Sequence, residues 1–182
     1  MIPHSGEPFY QNKMSMSSEL KLLLKLAKTN NGESLKSFIK EHQSLLKERS
    51  DNQLTPLQVA VYNGSIETAL IFIEYGGPPI IRAKFYSKKN RSSVIHYCLA
   101  RGWDTINKEH SKLPFNKVII AATNLMKERV FSLRDVYGIN PLGAAVLTGQ
   151  KQAADFFLNL SYCKKSTIEY EKNLVNKLRG IT

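Results

Sequence analysis

Apolar residues recur along this chain at helical spacing, in short segments separated by polar breaks that carry glycine or proline. Leu35, Phe38 and Ile39 form a stripe within a predicted helix over 33–42. Ala69, Leu70, Phe72 and Ile73 form another over 66–75, which Gly76-Gly77-Pro78-Pro79 stops. Val118, Ile119, Ala122, Leu125 and Met126 mark 115–128, and Ala153, Ala154, Phe156, Phe157 and Leu158 mark 151–160. One apolar face per helix is the pattern of helices that pack against a shared core, so these stripes read as core and not as cofactor boxes.

Between the stripes lies a second kind of unit, a turn followed by a short helix and a glycine. Residues 135–149 show it best. Asp135 and Gly138 make a tight turn, Asn140-Pro141 opens a helix, Ala144 and Ala145 give it a small-residue face, and Gly149 ends it. The unit recurs from Ser50 through Asp51-Asn52, Thr55-Pro56-Leu57, Ala60 and Asn63-Gly64. Proline in the first helical turn gives up no hydrogen bond, and a Thr, Ser or Asn before it can cap the helix. Small residues at Ala60, Cys98 and Ala145 let helices approach closely, and the glycine can take positive φ between two helices. The marker glycines Gly32, Gly64, Gly102 and Gly149 stand 32, 38 and 47 residues apart. Self-similarity of this kind indicates stacked repeats, which usually bind rather than catalyse.

Thr55-Pro56-Leu57-Gln58-Val59-Ala60 resembles the ankyrin T-P-L-H-x-A signature, with Gln58 in place of the His. Asn140-Pro141-Leu142-Gly143-Ala144-Ala145 resembles it with Asn140 for Thr, and Ser93-Val94-Ile95-His96-Tyr97-Cys98 keeps the His and loses the Pro. Leu26-Ala27 to Gly32 is a worn first copy. The match spans roughly residues 20–160, with spacing near the ~33-residue ankyrin period for the first interval only. The resemblance implies an all-α fold, an ankyrin-repeat solenoid of about four helix-turn-helix repeats with short β-hairpin fingers and helical caps. The repeats would cover approximately 19–48, 49–79, 88–130 and 134–160, within one domain over 19–182 preceded by a flexible arm over 1–18. His96 falls on the family's His position, which implies a hydrogen bond to backbone between repeats.

The third repeat departs from this pattern, because a polar stretch from Asp104 to Lys112 delays its outer helix by about ten residues against that spacing. Partial alternation over 80–90 suggests an extended hairpin. Residues 166–179 read as a charged capping helix, with Ile168, Tyr170, Leu174, Val175 and Leu178 on its apolar side. Residues 20–28 read as the matching N-terminal cap, with a membrane-surface helix as the competing reading because lysines interleave its leucines.

Charge and chemistry narrow the function. The formal net charge of +11 favours an acidic protein surface, nucleic acid or anionic lipid, and the basic residues are spread along the chain. No run approaches the ~18 apolar residues of a membrane span, and the N-terminus lacks the apolar core of a signal peptide. Cys98 and Cys163 are too few for a disulfide framework, which points to a reducing, cytoplasmic setting. His4, His42, His96 and His110 show no zinc-ligand spacing. Phosphate-loop, dinucleotide and nucleophile-elbow motifs are absent. Glu169 and Glu171 stand two apart and would point to different sides of a helix. These readings give a non-enzymatic chain with no cofactor and no metal.

The ankyrin resemblance places partner contacts at the finger tips and at the exposed ends of the first helices. By motif position the tips are Asp51, Asn52, Lys89, Asn90, Val136 and Tyr137, and the helix ends are Tyr62, Asn63, Ala100, Arg101, Leu147 and Thr148. Trp103 follows directly, so Arg101, Trp103, Tyr62 and Tyr137 are expected to form an aromatic and arginine cluster of the kind enriched in interface hot spots. The expected function is a monomeric adaptor that binds a partner protein, one with an acidic surface, through Asn52, Tyr62, Asn63, Lys89, Asn90, Arg101, Trp103, Tyr137 and Thr148. The worn, Lys- and Asn-rich repeats also resemble ankyrin-type effectors that intracellular bacteria deliver into host cells. The alternative is an electrostatic binder of nucleic acid or anionic lipid.

Overall fold

The computed structural model describes residues 16–29, 32–79, 93–135 and 137–180. The expected hairpin over 80–90 and most of the N-terminal arm lie outside these residues. The described residues are mostly helical and contain no sheet. In chain order they form α1 (Ser18–Leu26), α2 (Gly32–Glu41), α3 (Pro56–Asn63), α4 (Ile66–Glu74), α5 (Val94–Arg101), α6 (Asn116–Met126), α7 (Pro141–Leu147), α8 (Lys151–Leu158) and α9 (Lys165–Leu178). Short 3-10 helices at Gln43–Lys47 and Lys127–Ser132 follow α2 and α6.

Neighbouring helices pair as α3 with α4, α5 with α6, and α7 with α8. One row of contacts runs α1, α3, α5, α7, α9, and a second joins α2, α4 and α6. Most stripe residues are buried or half-buried, but Leu125 and Leu158, expected in the core, are exposed on the outer sides of α6 and α8. Leu35, Ile39, Phe72, Ile119 and Phe157 are all fully buried, as are the small residues Ala60, Cys98 and Ala145. Each large side chain of this kind contributes roughly 1.5–3 kcal/mol when removed from water.

The short helices begin as their sequences require. Thr55 caps α3 by accepting from the Gln58 N–H, and Gln58 Oε1 accepts in return from the Thr55 N–H at 2.8 Å. Ser93 and His96 make the same reciprocal box at α5. Asn140 caps α7 through the Gly143 N–H at 3.0 Å. Gly64 and Gly149 take φ of 75° and 70°, and the N–H that follows each returns to the carbonyl of Ala60 or Ala145 at 2.9 Å. Two segments 85 residues apart thus repeat one backbone path, from Gln53 to Ser65 and from Gly138 to Gln150.

Several boundaries differ from expectation. Gly32 has no positive φ and opens α2, because α1 already ends at Ala27, whose N–H closes on Leu23. The helix expected over 115–128 stops at Met126, where Lys127 adopts φ of 51° and the chain tightens into a 3-10 turn. The expected fingers contain no strand among the described residues. Instead the tips are turns closed by two backbone bonds each, Ser50 N–H to the Leu54 carbonyl with Gln53 N–H to the Ser50 carbonyl, and Asp135 N–H to the Ile139 carbonyl with Gly138 N–H to the Asp135 carbonyl.

The polar stretch after α5 is ordered by the preceding pair of helices. Asn107 Nδ2 donates to the Asn63 carbonyl at 2.9 Å, and a side chain at Gly64 would strike that amide. The Ser111 hydroxyl and the Lys112 N–H both donate to the Glu67 carboxylate. The insertion therefore grips the α3–α4 corner, and a bridge between Ile106 and Pro114 closes its base.

Candidate functional site

The groove between α1 and α3 collects charge that the sequence scatters. Leu20, Leu23 and Leu24 are buried, which turns Lys21, Lys25 and Lys28 outward on one face at spacings of four and three residues. These lysines form one wall of a cavity of about 490 Å3. Asp51, Asn52 and Leu54 from the first turn form another, and Val59, Tyr62 and Asn63 of α3 form the floor. The lysines make no ion pair among the described residues, and Asp51 is the one carboxylate in the lining.

The turn that carries Asn52 is braced from within. Ser50 Oγ accepts from the Leu54 N–H at 3.1 Å, and Arg49 donates to the Gln53 carbonyl at 2.7 Å. This leaves Asp51 and Asn52 exposed at the tip. On the floor, Asn63 Nδ2 donates to the Val59 carbonyl at 2.7 Å, which leaves its Oδ1 able to accept. Burial, with Tyr97 beside it, holds the Tyr62 phenol above its usual range, so its hydroxyl stays a donor at neutral pH.

Tyr62 links the groove to α5. Its ring lies 4.3 Å from that of Tyr97, whose hydroxyl donates to the Tyr62 carbonyl. Arg101 Nε donates to the same hydroxyl at 3.0 Å, and its guanidinium sits 5.4 Å from the Tyr97 ring. Tyr97 is the residue that sequence reasoning missed; its spacing four before Arg101 on one helix was the available signal.

The expected cluster of Arg101, Trp103, Tyr62 and Tyr137 divides. Arg101 reaches Tyr62 through Tyr97. Trp103 sets its half-buried ring at a tilt against Phe156 of α8, centroids 5.4 Å apart, and its backbone N–H donates to Gln150 Oε1. Tyr137 is 64% exposed at the second turn and has no ring contact among the described residues. Thr148 spends its hydroxyl on the Ala144 carbonyl and accepts from Gln150 Nε2, both within the corner after α7. Asn52, Tyr62 and Asn63 share the groove, while Lys89, Asn90 and Val136 lie outside the described residues.

The buried titratable groups join helices that are distant in sequence. His96 Nε2 lies 3.1 Å from the Ile139 carbonyl, so this nitrogen carries the proton and Nδ1 accepts from Ser93. The bond ties the start of α5 to the backbone just before α7. Burial lowers its pKa against the opposing pull of Asp135, which keeps the ring neutral. Cys98 is fully buried and burial pushes its thiol far up, so it offers no thiolate.

Glu171 of α9 has a structural role. It is 2% exposed, and its Oε2 accepts from the Asn140 N–H at 3.1 Å. Oε1 lies 3.2 Å from Arg134 Nη1, an ion pair without hydrogen-bond alignment. Burial raises its pKa, with the Asn140 bond and Arg134 pulling the other way.

Among the described residues, no group of three or more His, Cys, Asp or Glu could hold a metal ion, and no helix is long and apolar enough to cross a membrane. No family model matches the chain, and no curated protein matches it.

Proposed function

We propose that the chain is an ankyrin-type adaptor, a monomer without catalytic activity, that holds a partner protein along the row α1, α3 and α5. The observation that carries this reading is the continuous surface from the α1–α3 groove through Tyr62 and Tyr97 to Arg101. It combines a concavity, two aromatic rings in contact and an arginine, which is the composition of interface hot spots. The repeated cap, helix and glycine corner supports the ankyrin assignment, with the fingers reduced to turns. The resemblance to translocated effectors would place the partner in a host cell.

Three unpaired lysines in the groove favour a second reading, an electrostatic binder of nucleic acid or anionic lipid. Affinity capture from a eukaryotic lysate at low and physiological salt separates the two, with the wild type beside a Tyr62→Ala/Arg101→Glu variant. The adaptor reading expects a discrete protein retained at both salts and lost in the variant. Nucleic acid or lipid alone, released at the higher salt, would replace it with the electrostatic reading.

A further inference from the structure

Resting on the adaptor reading, we infer that the groove between α1 and α3 takes an extended acidic segment of the partner, with carboxylates on alternate residues facing α1. Lys21, Lys25 and Lys28 are exposed, unpaired among the described residues and on one face, so they form a line of cations roughly 10 Å long at the ~1.5 Å helical rise. The first interval, from Lys21 to Lys25, is about 6 Å. In an extended chain, side chains on one face repeat every ~6.6 Å. Carboxylates at alternate positions therefore fall in step with the first two lysines, and the long side chain of Lys28 reaches the third.

The opposite walls decide between an extended and a helical ligand. Asn52 at the turn tip has no side-chain partner among the described residues, Asn63 keeps a free Oδ1, and Tyr62 keeps a hydroxyl donor. These groups can pair with peptide N–H and C=O groups. A helix has spent those groups internally, whereas an extended segment presents them along its length. The walls thus read backbone while α1 reads charge. The long positive duplex groove-binder geometry is a poor match, because the line of lysines ends after three residues and Asp51 stands opposite it.

The test measures fluorescence anisotropy of the full chain with a labelled peptide bearing glutamate at alternate positions. Its glutamine analogue, a DNA duplex and phosphatidylserine vesicles serve as comparison probes. The assignment expects the glutamate peptide to bind best and a Lys21→Gln/Lys25→Gln/Lys28→Gln variant to weaken it roughly tenfold, as three partly screened ion pairs would. These lysines are exposed, and an unchanged melting curve for the variant confirms that the loss is local. Equal binding by the glutamine analogue, equal binding by the variant, or tighter binding of duplex or vesicles overturns it. If lysate capture still depends on Tyr62 and Arg101 while the peptide fails, only the acidic-segment assignment falls. If both fail, the adaptor reading falls with it.

Discussion

The starts of α3 and α7 solve one problem in two ways. At α3 the Thr55 N–H is met by Gln58, three residues along the same helix. At α7 the corresponding residue is Gly143, which has no side chain to offer. The Asn140 N–H is met instead by Glu171, 31 residues away on α9. A β-carbon on Gly143 would clash with Glu171 Oε2, so the glycine is a receptor for the carboxylate. The comparison teaches that a capping box is a requirement for two acceptors at fixed places, and that the second can come from another element. At α7 the local cap has become the docking point of the terminal helix.

Removing the remote acceptor is the strongest way to break this equivalence. Glu171→Ala leaves a buried N–H unsatisfied and removes the carboxylate paired with Arg134, and is expected to cost about 2–3 kcal/mol in denaturant unfolding. Adding Gly143→Gln to that variant rebuilds the arrangement of α3 and is expected to recover about 1 kcal/mol. A double variant less stable than Glu171→Ala alone would show that α7 cannot accept a local cap.

The third box, at α5, sharpens the comparison through pH. His96 fills the place of Gln58 and its pKa is lowered in the fold from an ordinary value of 6.5. The unfolded chain therefore binds the proton first, and stability present above pH 6.5 is lost as pH falls below it, by about 1.4 kcal/mol per unit of depression. Glu171 acts with opposite sign. Its raised pKa gives stability that is present below the ordinary 4.5 and lost as pH rises through the folded value. His96→Gln copies α3, so the difference between its stability curve and that of the wild type isolates the histidine. Identical curves would mean that His96 is protonated alike in both states.

The smallest expected effect lies in the two turns. Gln53 holds φ of 61° where Gly138 holds 78° at the same point of the repeated path. Gln53→Gly is expected to raise stability by roughly 0.5–1 kcal/mol, the relief of a left-handed side chain less the entropy of glycine. A loss of stability in thermal unfolding would mean that the Gln53 side chain supports the turn.

Local signals in the sequence account for most of the helical framework. Thr55, Ser93 and Asn140 cap the helices expected of them, and Phe72 and Phe157 are buried at the centres of their stripes, with Leu158 at the edge of the second left exposed. These features depend on neighbours within four residues, which a linear reading contains. Gly32 misleads because a glycine's identity does not state its φ, and Thr29 with Ala27 had already turned the chain. Glu171 was illegible because its partner is 31 residues away and lies across a helix boundary. The site was legible in pieces. Asn52, Tyr62 and Asn63 were placed by motif position, whereas Lys21, Lys25 and Lys28 became one wall only when α1 packed beside α3. Trp103 was read as surface, although a large apolar ring beside the α8 stripe gains more from covering Phe156.

The remote cap at α7 also sets an order of events. As the chain leaves the ribosome, Thr55 and Ser93 find their acceptors almost as soon as the next turn is made. Asn140 must wait for residue 171, which at ~5–20 residues per second is a delay of seconds. During that interval the start of α7 lacks its second acceptor, and any nascent chain released before Glu171 lacks it for good. The glycine at 143 thus ties completion of the α7 cap to the synthesis of α9.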